Sequence, residues 1–264
     1  MDIPAYITIG PLTLHFYGLM YATGAVAAYF LTKWLSRKVG RPLSGEQLTD
    51  IIFWTMLGGV IGGRLMYAFV YNPQVYLADP LAVLMVWQGG MSIHGGLLGG
   101  FFGAWWGSRV IKRPLPEVAD LFLPALALGL AFGRLGNFVN GELYGRITDV
   151  PWGMDFGDGE NRHPAQLYAM GKNLLLCGIF LALVLRVQWR PGVLSGLFFC
   201  LLAAFRFVVE FFRAPDPQLG LLALGLSMGQ WLSLILFAVG VGIITLFGWV
   251  LPHRQQQKAS KKTP

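Results

Sequence analysis

Residues 15–41 read HFYGLMYATGAVAAYFLTKWLSRKVGR, an apolar run that ends in a cluster of lysines and arginines. Up to residue 35 the run has about 20 residues, the length that a helix needs to cross the hydrocarbon core of a bilayer. Basic residues directly beside an apolar span are typical of its cytoplasmic end. The stretch therefore predicts a membrane-spanning helix whose N-terminal end faces away from the cytoplasm.

The composition of the whole chain indicates the same class of protein. Of 264 residues, 55% are apolar and only 12% are charged, whereas soluble domains carry about 25% charged residues. We expect an all-α integral membrane protein with a single polytopic membrane domain over residues 1–264. Cys177 and Cys200 lie inside apolar runs without metal-binding spacing, so we interpret both as packing residues and expect no metal site.

The net charge of +7 raises the question of a nucleic acid partner. Most of the lysines and arginines, however, fall in four clusters beside apolar runs, a pattern that marks the cytoplasmic ends of membrane spans. We therefore interpret the basic charge as an orientation signal and expect no nucleic acid partner. The clusters are Lys33, Arg37, Lys38 and Arg41; Arg109, Lys112 and Arg113; Arg186 and Arg190; and Arg254, Lys258, Lys261 and Lys262.

The apolar runs predict about seven transmembrane helices, with the N-terminus outside and the C-terminus inside, which places all four basic clusters on one side. An interrupted or interfacial helix is expected before the third span, because residues 80–110 are apolar but broken at 88–96. We expect a short external loop region at 145–163 and a basic cytoplasmic tail at 252–264. The predicted spans are residues 15–35, 50–71, 93–110, 117–134, 164–186, 193–213 and 227–251.

Glycines four residues apart predict close helix packing. Small residues at this spacing allow two helix backbones to approach each other in a membrane. We interpret them as packing seams and assign them no role in chemistry. The series is Gly95, Gly99, Gly103 and Gly107, together with the pairs Gly58/Gly62, Gly59/Gly63 and Gly129/Gly133.

Three cations fall inside apolar spans, namely Arg64, Lys172 and Arg206. A cation at the centre of a membrane helix costs at least about 2.5 kcal/mol, so each needs a partner. Arg206 shares a helix face with Glu210 and Arg213. This face is either a self-neutralising Arg206–Glu210 pair or an anion site toward the bundle interior, and its excess positive charge favours the anion site.

Residues 133–145, GRLGNFVNGELYG, form the densest polar segment of the chain. Irregular backbone at membrane depth is tolerated only where protein or a wet cavity covers it. Glycines allow backbone N–H groups to approach a ligand, and arginine and asparagine donate hydrogen bonds to anionic oxygens. We expect an irregular segment that binds a phosphate ester. The alternative is a re-entrant turn with only structural hydrogen bonds.

This segment resembles the signature of the bacterial phosphatidylglycerol:prolipoprotein diacylglyceryl transferases. The resemblance covers nearly the whole chain. The chain differs from the pattern at Ala169, where relatives often have glutamate, at Leu201 and Leu202, where an aromatic residue is common, and in a shorter loop at 145–163. Further matching segments are residues 15–21, HFYGLMY; 62–64, GGR; 89–96, GGMSIHGG; 162–168, RHPAQLY; 204–213, AFRFVVEFFR; and 227–230, SMGQ.

The resemblance implies an enzyme of the bacterial cytoplasmic (inner) membrane whose active site opens toward the outer face. Such an enzyme transfers the diacylglyceryl group of phosphatidylglycerol to the thiol of a prolipoprotein lipobox cysteine and releases glycerol 1-phosphate. Its partners would be phosphatidylglycerol, the lipobox peptide and membrane lipids, and it would need no cofactor. A different class, a seven-span transporter or channel whose arginines bind an anion in transit, would also suit the glycine-rich breaks, but the signature favours the transferase.

The resemblance also implies roles for individual residues. Arg134 and Arg206 would hold the phosphate. His94 is the best candidate base, because imidazole accepts a proton near neutral pH, and Tyr17 is its rival or partner. We expect His163 to cap the helix that follows it. The remaining substrate-binding candidates are Asn137 and Asn140, which would bond to phosphate or backbone, Glu142, which would orient Arg134 or Arg146, and Gly145, Glu210 and Arg213.

Overall fold

The computed structural model describes residues 6–9, 12–86, 89–187, 189–214, 220 and 222–250. Helices dominate this part of the chain. They are α1 (Phe16–Lys38), α2 (Gly45–Met66, continued by a π-helical turn at Tyr67–Tyr71), α3 (Pro73–Ala78), α4 (Ile93–Val110), α5 (Leu115–Val139), α6 (Ala165–Arg186), α7 (Val193–Glu210) and α8 (Met228–Thr245, continued by a π-helical turn at Leu246–Val250), with 3₁₀ turns at Pro80–Leu84 and Ala223–Gly225.

The long helices fall where the apolar runs predict spans. Each of the seven predicted spans overlaps one long helix, and between Tyr71 and Ile93 the described residues form α3 and the 3₁₀ turn at Pro80–Leu84. Five helical stretches of the described residues are long and apolar enough to cross a membrane, so the helical membrane class is confirmed. These are Gly45–Tyr71, Leu115–Val139, Ala165–Arg186, Val193–Glu210 and Met228–Trp249.

Two small hairpins accompany the helices, and the sequence patterns did not predict them. Strands β1 (Tyr6–Ile9) and β2 (Leu12–His15) pair antiparallel, as do β3 (Met154–Asp155) and β4 (Asn161–Arg162). In the second hairpin Asp155 accepts backbone hydrogen bonds from Gly157, Asp158 and Gly159. These bonds, that from Gly157 above all, hold the pKa of the Asp155 carboxyl below its usual value, because they stabilise the charged form.

The predicted irregular segment at 133–145 is helical over its first half. Helix α5 continues to Val139, five residues beyond the predicted end of the span. It then closes with a left-handed glycine, Gly141 at φ 67°, while Gly141 donates to the Phe138 carbonyl and Glu142 to the Asn137 carbonyl. This hydrogen-bond pattern is the Schellman motif, which satisfies the last carbonyls of a helix. The polar side chains of the segment therefore project from a regular helix end.

The chain forms two compact units, residues 40–118 and residues 1–39 with 119–264. In the smaller unit α2 and α4 pack along the predicted glycine seam. A Cβ at Gly58 would collide with the Gly99 carbonyl oxygen, and one at Gly62 with the Gly95 carbonyl oxygen. The seam is confirmed here. In the larger unit, by contrast, a Cβ at Gly129 or Gly133 would meet none of the described residues within 4 Å, and the approach of α1 is looser, since a Cβ at Gly24 would lie 3.6 Å from the Gly129 Cα.

Arg64 organises the segment that links α2 to α4. Arg64 is 3% exposed, and its guanidinium carbon lies 5.1 Å from the Tyr76 ring centre. Arg64 donates to the carbonyls of Val83 (2.8 Å), Ala82 (2.6 Å), Met85 (3.0 Å), Gly90 (3.1 Å) and Gly89. The cation predicted to need a partner therefore has five carbonyl partners, all within its own unit.

The larger unit has an apolar core of α5, α6 and α7 side chains, with Phe180 and Phe198 in edge-to-face contact. The start of α7 is held by Asp120 of α5, whose carboxylate accepts hydrogen bonds from the Gly192 backbone (2.7 Å) and from both the backbone and the hydroxyl of Ser195. These contacts fix the three helices that carry most of the polar site.

Candidate active site

A cavity of about 120 Å³ lies among α5, α6, α7 and α8 of the larger unit. Much of its wall is apolar, including Leu130, Leu202 and Leu236. The charged side chains that line it are four cations and one carboxylate: Arg134, Lys172, Arg206, Arg213 and Glu210. The structure thus brings together four of the residues that the sequence singled out for substrate, with a fifth charge from α6.

Glu210 is bonded to partners other than Arg206. Its carboxylate is 3.4 Å from Arg213 Nη1 and accepts a hydrogen bond of 3.2 Å from the Ser227 hydroxyl. A Cβ at Gly229 would collide with the same carboxylate, so the glycine makes room for it. Ser227 and Gln230 form a capping box at the start of α8, and a helix N-terminus favours negative charge nearby. The self-neutralising Arg206–Glu210 pair is therefore absent.

Arg206 is a half-buried arginine on the apolar helix α7, about one turn before the end of the helix. Among the described residues it makes no hydrogen bond and no ion pair, in contrast to Arg64 and Arg213. A desolvated cation without a protein partner is unfavourable unless an anion supplies the missing interaction. The interpretation of this face as an anion site is thus the one that the geometry favours.

Arg134 lies at the start of a polar network at the end of α5. Its Nη1 is 3.4 Å from Asn137 Oδ1, and Asn137 is buried. Asn137 and Asn140 donate to the two oxygens of the Glu142 carboxylate, at 3.5 Å and 3.3 Å. Gln166 of α6 donates to the Glu142 carbonyl at 2.7 Å. Glu142 thus holds the two asparagines in place beside Arg134.

Gly145 has a structural position. A Cβ there would collide with the backbone of His163 and Phe212, and the Gly145 amide donates to the His163 carbonyl at 2.9 Å. Arg146 next to it donates from Nε to the Arg213 carbonyl at 3.1 Å. Glycine is therefore required where the loop at 145–163 passes close to the end of α7, and this close approach holds the backbone of Arg213 at the cavity wall.

His163 does not cap α6 with its side chain. The cap position is Pro164, without a side-chain hydrogen bond. The His163 Nδ1 instead lies 3.1 Å from the Tyr168 hydroxyl, to which Trp152 also donates at 2.6 Å, and Phe212 packs against both rings. The capping prediction is wrong because the aromatic cluster offers the imidazole a polar partner one turn away.

His94 and Tyr17 are the two candidate bases. His94 lies in the first turn of α4 in the smaller unit, exposed, with Nδ1 3.4 Å from the Tyr71 hydroxyl. Tyr17 belongs to α1, and its side chain lies outside the described residues. The choice between them stays a prediction.

Sequence reasoning missed three members of this region. The sequence shows Lys172 as a charge inside an apolar span, and this unusual position is itself a signal for a functional site. In the sequence, Ser227 and Gly229 stand out only as parts of a matching motif. Both contact Glu210, which lies 17 residues before Ser227 on another helix. Residue spacing within one helix therefore cannot predict these contacts.

Fold and site together define a multi-span membrane protein with a cationic cavity between its helices, suited to an anion. Comparison with known proteins narrows this class. The family model described as prolipoprotein diacylglyceryl transferase matches residues 4–246, and the chain belongs to this family.

Curated relatives agree with the family match. A phosphatidylglycerol–prolipoprotein diacylglyceryl transferase of Geobacter sulfurreducens is 45% identical over 245 residues, which cover 92% of this chain and 94% of the relative. Proteins of the same name from Cupriavidus pinatubonensis and Bordetella parapertussis are 41% and 46% identical. They cover 99% and 91% of this chain, and 95% and 93% of their own lengths. The resemblance stated from the sequence motifs is confirmed.

Proposed function

We propose that this protein transfers the diacylglyceryl group of phosphatidylglycerol to the lipobox cysteine thiol of prolipoproteins, the first step of bacterial lipoprotein maturation. The chain belongs to the family, and relatives named for this activity are similar to it over nearly their full length, which supports the proposal. The structural observation that carries it is Arg206, a cation that has no hydrogen-bond or ion-pair partner among the described residues and that lines a cavity together with Arg134.

The reaction exchanges one bond for another. The bond between a glycerol carbon and a phosphate oxygen breaks, and its electron pair stays on the phosphate. A thioether forms between the same carbon and the cysteine sulfur, while the thiol proton passes to a base. Glycerol 1-phosphate leaves. The site must therefore supply a proton acceptor for the thiol and fixed positive charge for the phosphate.

Arg134 and Arg206 supply the fixed charge. Each presents a planar fork of donors that can engage two phosphate oxygens. Glu142, through Asn137 and Asn140, keeps the Arg134 end of the cavity ordered. Glu210 holds Arg213 at the wall of the same cavity through their ion pair. Because these groups are preorganised, they stabilise charge on the leaving phosphate without rearrangement.

His94 is the proposed base, with Tyr17 as its rival or partner. An imidazole has a proton affinity suited to accept a proton near neutral pH. The Tyr71 hydroxyl, 3.4 Å from Nδ1, would orient the ring and leave the other nitrogen to face the thiol. A His94→Gln variant would retain a hydrogen-bonding side chain but lose the basic nitrogen, and comparison with Tyr17→Phe distinguishes the two candidates.

We further propose a single polytopic domain of seven spans in the cytoplasmic (inner) membrane, N-terminus outside and C-terminus inside, with the active site open to the outer face. Arg41, Arg113, Arg190 and the tail after His253 would face the cytoplasm, and residues 145–163 the outside. The tail at 252–264 lies outside the described residues. Support comes from the basic residues in the last turns of α1, α4 and α6. Cysteine labelling from each side tests this topology, and an externally reactive cysteine at position 112 would contradict it.

The decisive test uses purified protein in detergent, incubated with phosphatidylglycerol and a lipobox peptide. Mass spectrometry should detect the peptide with a diacylglyceryl adduct on its cysteine, and a peptide with serine in place of that cysteine should remain unmodified. No adduct, together with anion flux through the protein in liposomes, would indicate the transporter class.

A further inference from the structure

Lys172 is a cation of the cavity wall to which the proposed binding of phosphate by Arg134 and Arg206 gives no role. It lies on α6, one turn after Ala169, and both side chains line the cavity with Arg134 and Arg206. Its Nζ donates to Oδ1 of the neighbouring Asn173 at 2.7 Å, and Asn173 is 2% exposed. An ammonium group has three donors, and the other two of Lys172 have no partner among the described residues.

Among the described residues, no carboxylate forms an ion pair with this lysine. Arg134 and Arg206 line the same cavity, and their positive charges repel that of Lys172. Glu210 is the carboxylate of the cavity wall, but it already bonds to Arg213 and Ser227. Ala169, which also lines the cavity, has an uncharged side chain and cannot offset the lysine. Like charges at partly desolvated positions repel strongly, so an anion bound among the three cations would stabilise them.

We infer that Lys172 is a third cationic ligand of the phosphate, and that it makes the cavity prefer a doubly charged phosphate monoester to a singly charged diester. This inference rests on the proposed function, because it assigns the three cations to the substrate phosphate and to the phosphate that leaves. Two arginine forks are sufficient to match the single charge of a diester. A third cation adds to the positive charge, and a doubly charged monoester offsets more of this charge than a diester does.

The reaction creates that second charge. As the carbon–oxygen bond breaks, its electron pair stays on the phosphate, and the diester of phosphatidylglycerol becomes the monoester of glycerol 1-phosphate. Phosphate monoesters carry a charge near −2 above a second pKa of about 6. Lys172 therefore interacts more strongly with the phosphate after bond cleavage than before it, which is the condition for an interaction that accelerates the reaction.

The test compares two soluble probes that differ in this charge: glycerol 1-phosphate, a monoester, and glycerophosphoglycerol, a diester. Binding to the full-length protein in detergent is measured at pH 7 by calorimetry, where most of the monoester carries its second negative charge. The wild-type protein should bind the monoester more tightly. Lys172→Met should weaken monoester binding about tenfold and diester binding by a smaller factor, whereas Lys172→Arg should retain the preference.

Lys33→Met is the matched control. Lys33 is another half-buried lysine of the larger unit, bonded to the Tyr29 hydroxyl at 3.1 Å and not part of the cavity wall. Its substitution should leave both affinities unchanged. A merely structural role of Lys172 would instead weaken both probes by the same factor in Lys172→Met. That result, no loss for either probe, or no binding of either probe to the wild-type protein would overturn the inference.

The peptide transfer assay on the same preparations separates this inference from the proposed function. If the wild-type protein transfers the diacylglyceryl group but Lys172→Met keeps its monoester preference, only the inference fails. If the Lys172-dependent preference is present but no transfer occurs, the charge-selective phosphate site stands and the transferase function fails.

Discussion

Arg64 and Arg206 both place a guanidinium inside an apolar helix, and their surroundings differ. Arg64 donates to five backbone carbonyls of the segment before α4. Arg206 has no hydrogen-bond or ion-pair partner among the described residues and lines a cavity with other cations. The same rule of membrane energetics, that a buried cation needs compensation, thus has two solutions. Arg64 is compensated by carbonyl groups of the protein itself. Arg206 is left for an anionic ligand to compensate.

Glycine shows the same contrast between the two units. The Gly58 and Gly62 positions of α2 have no room for a side chain, because the α4 backbone lies against them. Gly129 and Gly133 share the spacing, but a Cβ on either would meet nothing within 4 Å. A repeated residue type therefore marks a possible contact, and the neighbouring helix decides whether the contact is made.

The largest expected effect is on the arginines assigned to the phosphate. Arg206→Lys, and likewise Arg134→Lys, should lower turnover roughly 100- to 1000-fold, because lysine keeps the charge but loses the fork that engages two phosphate oxygens. Initial rates of peptide modification measure this. The yield and melting temperature of each variant serve as folding controls. Near wild-type turnover in a well-folded lysine variant would remove that arginine from the site, which would have to be rebuilt around His94 and Tyr17.

Arg64→Lys should show the reverse pattern, a loss of stability with little loss of turnover per folded molecule. An ammonium cannot reach all five carbonyls, and each lost hydrogen bond to a charged group costs about 1.5–3 kcal/mol. Thermal unfolding in detergent, with activity normalised to folded protein, measures both quantities. Unchanged stability with a collapse of normalised turnover would place Arg64 in the chemistry and end the contrast with Arg206.

Gly62→Ala tests the helix seam of the smaller unit. The added methyl group would collide with the α4 backbone at Gly95 and Gly99, and overpacking of this kind costs about 1–3 kcal/mol. We expect a lower melting temperature. Gly129→Ala is the matched control, since its Cβ meets no neighbour, and it should melt like the wild-type protein. Equal melting temperatures for both variants would contradict the seam.

The smallest effect is expected from the double substitution Cys177→Ala with Cys200→Ala. The acceptor thiol belongs to the substrate, so transfer should remain close to the wild-type rate. Cys200 is buried, with its sulfur 3.7 Å from the Phe237 carbonyl, and a modest loss of stability is compatible with its packing role. Complete inactivation of a folded double variant would instead indicate a covalent cysteine intermediate and a two-step route.

Much of this protein follows from its sequence alone. The long helices lie at the predicted spans, and Arg134, Arg206, Glu210 and Arg213 line one cavity. Both features depend on properties that are local in the chain. Apolar runs of sufficient length form helices in a membrane wherever they occur, and a charge inside such a run is unfavourable whatever surrounds it. The sequence therefore shows which residues need an explanation.

Only the tertiary structure decided which explanation each of them has. Arg64 finds its carbonyls 18 to 26 residues further along the chain, and Glu210 accepts from Ser227 on the approach to the next helix. Lys172 of α6 and Arg206 of α7 line the same cavity. Partners of this kind are set by how helices pack and where loops return, because a buried charge is compensated by whichever groups lie near it in space.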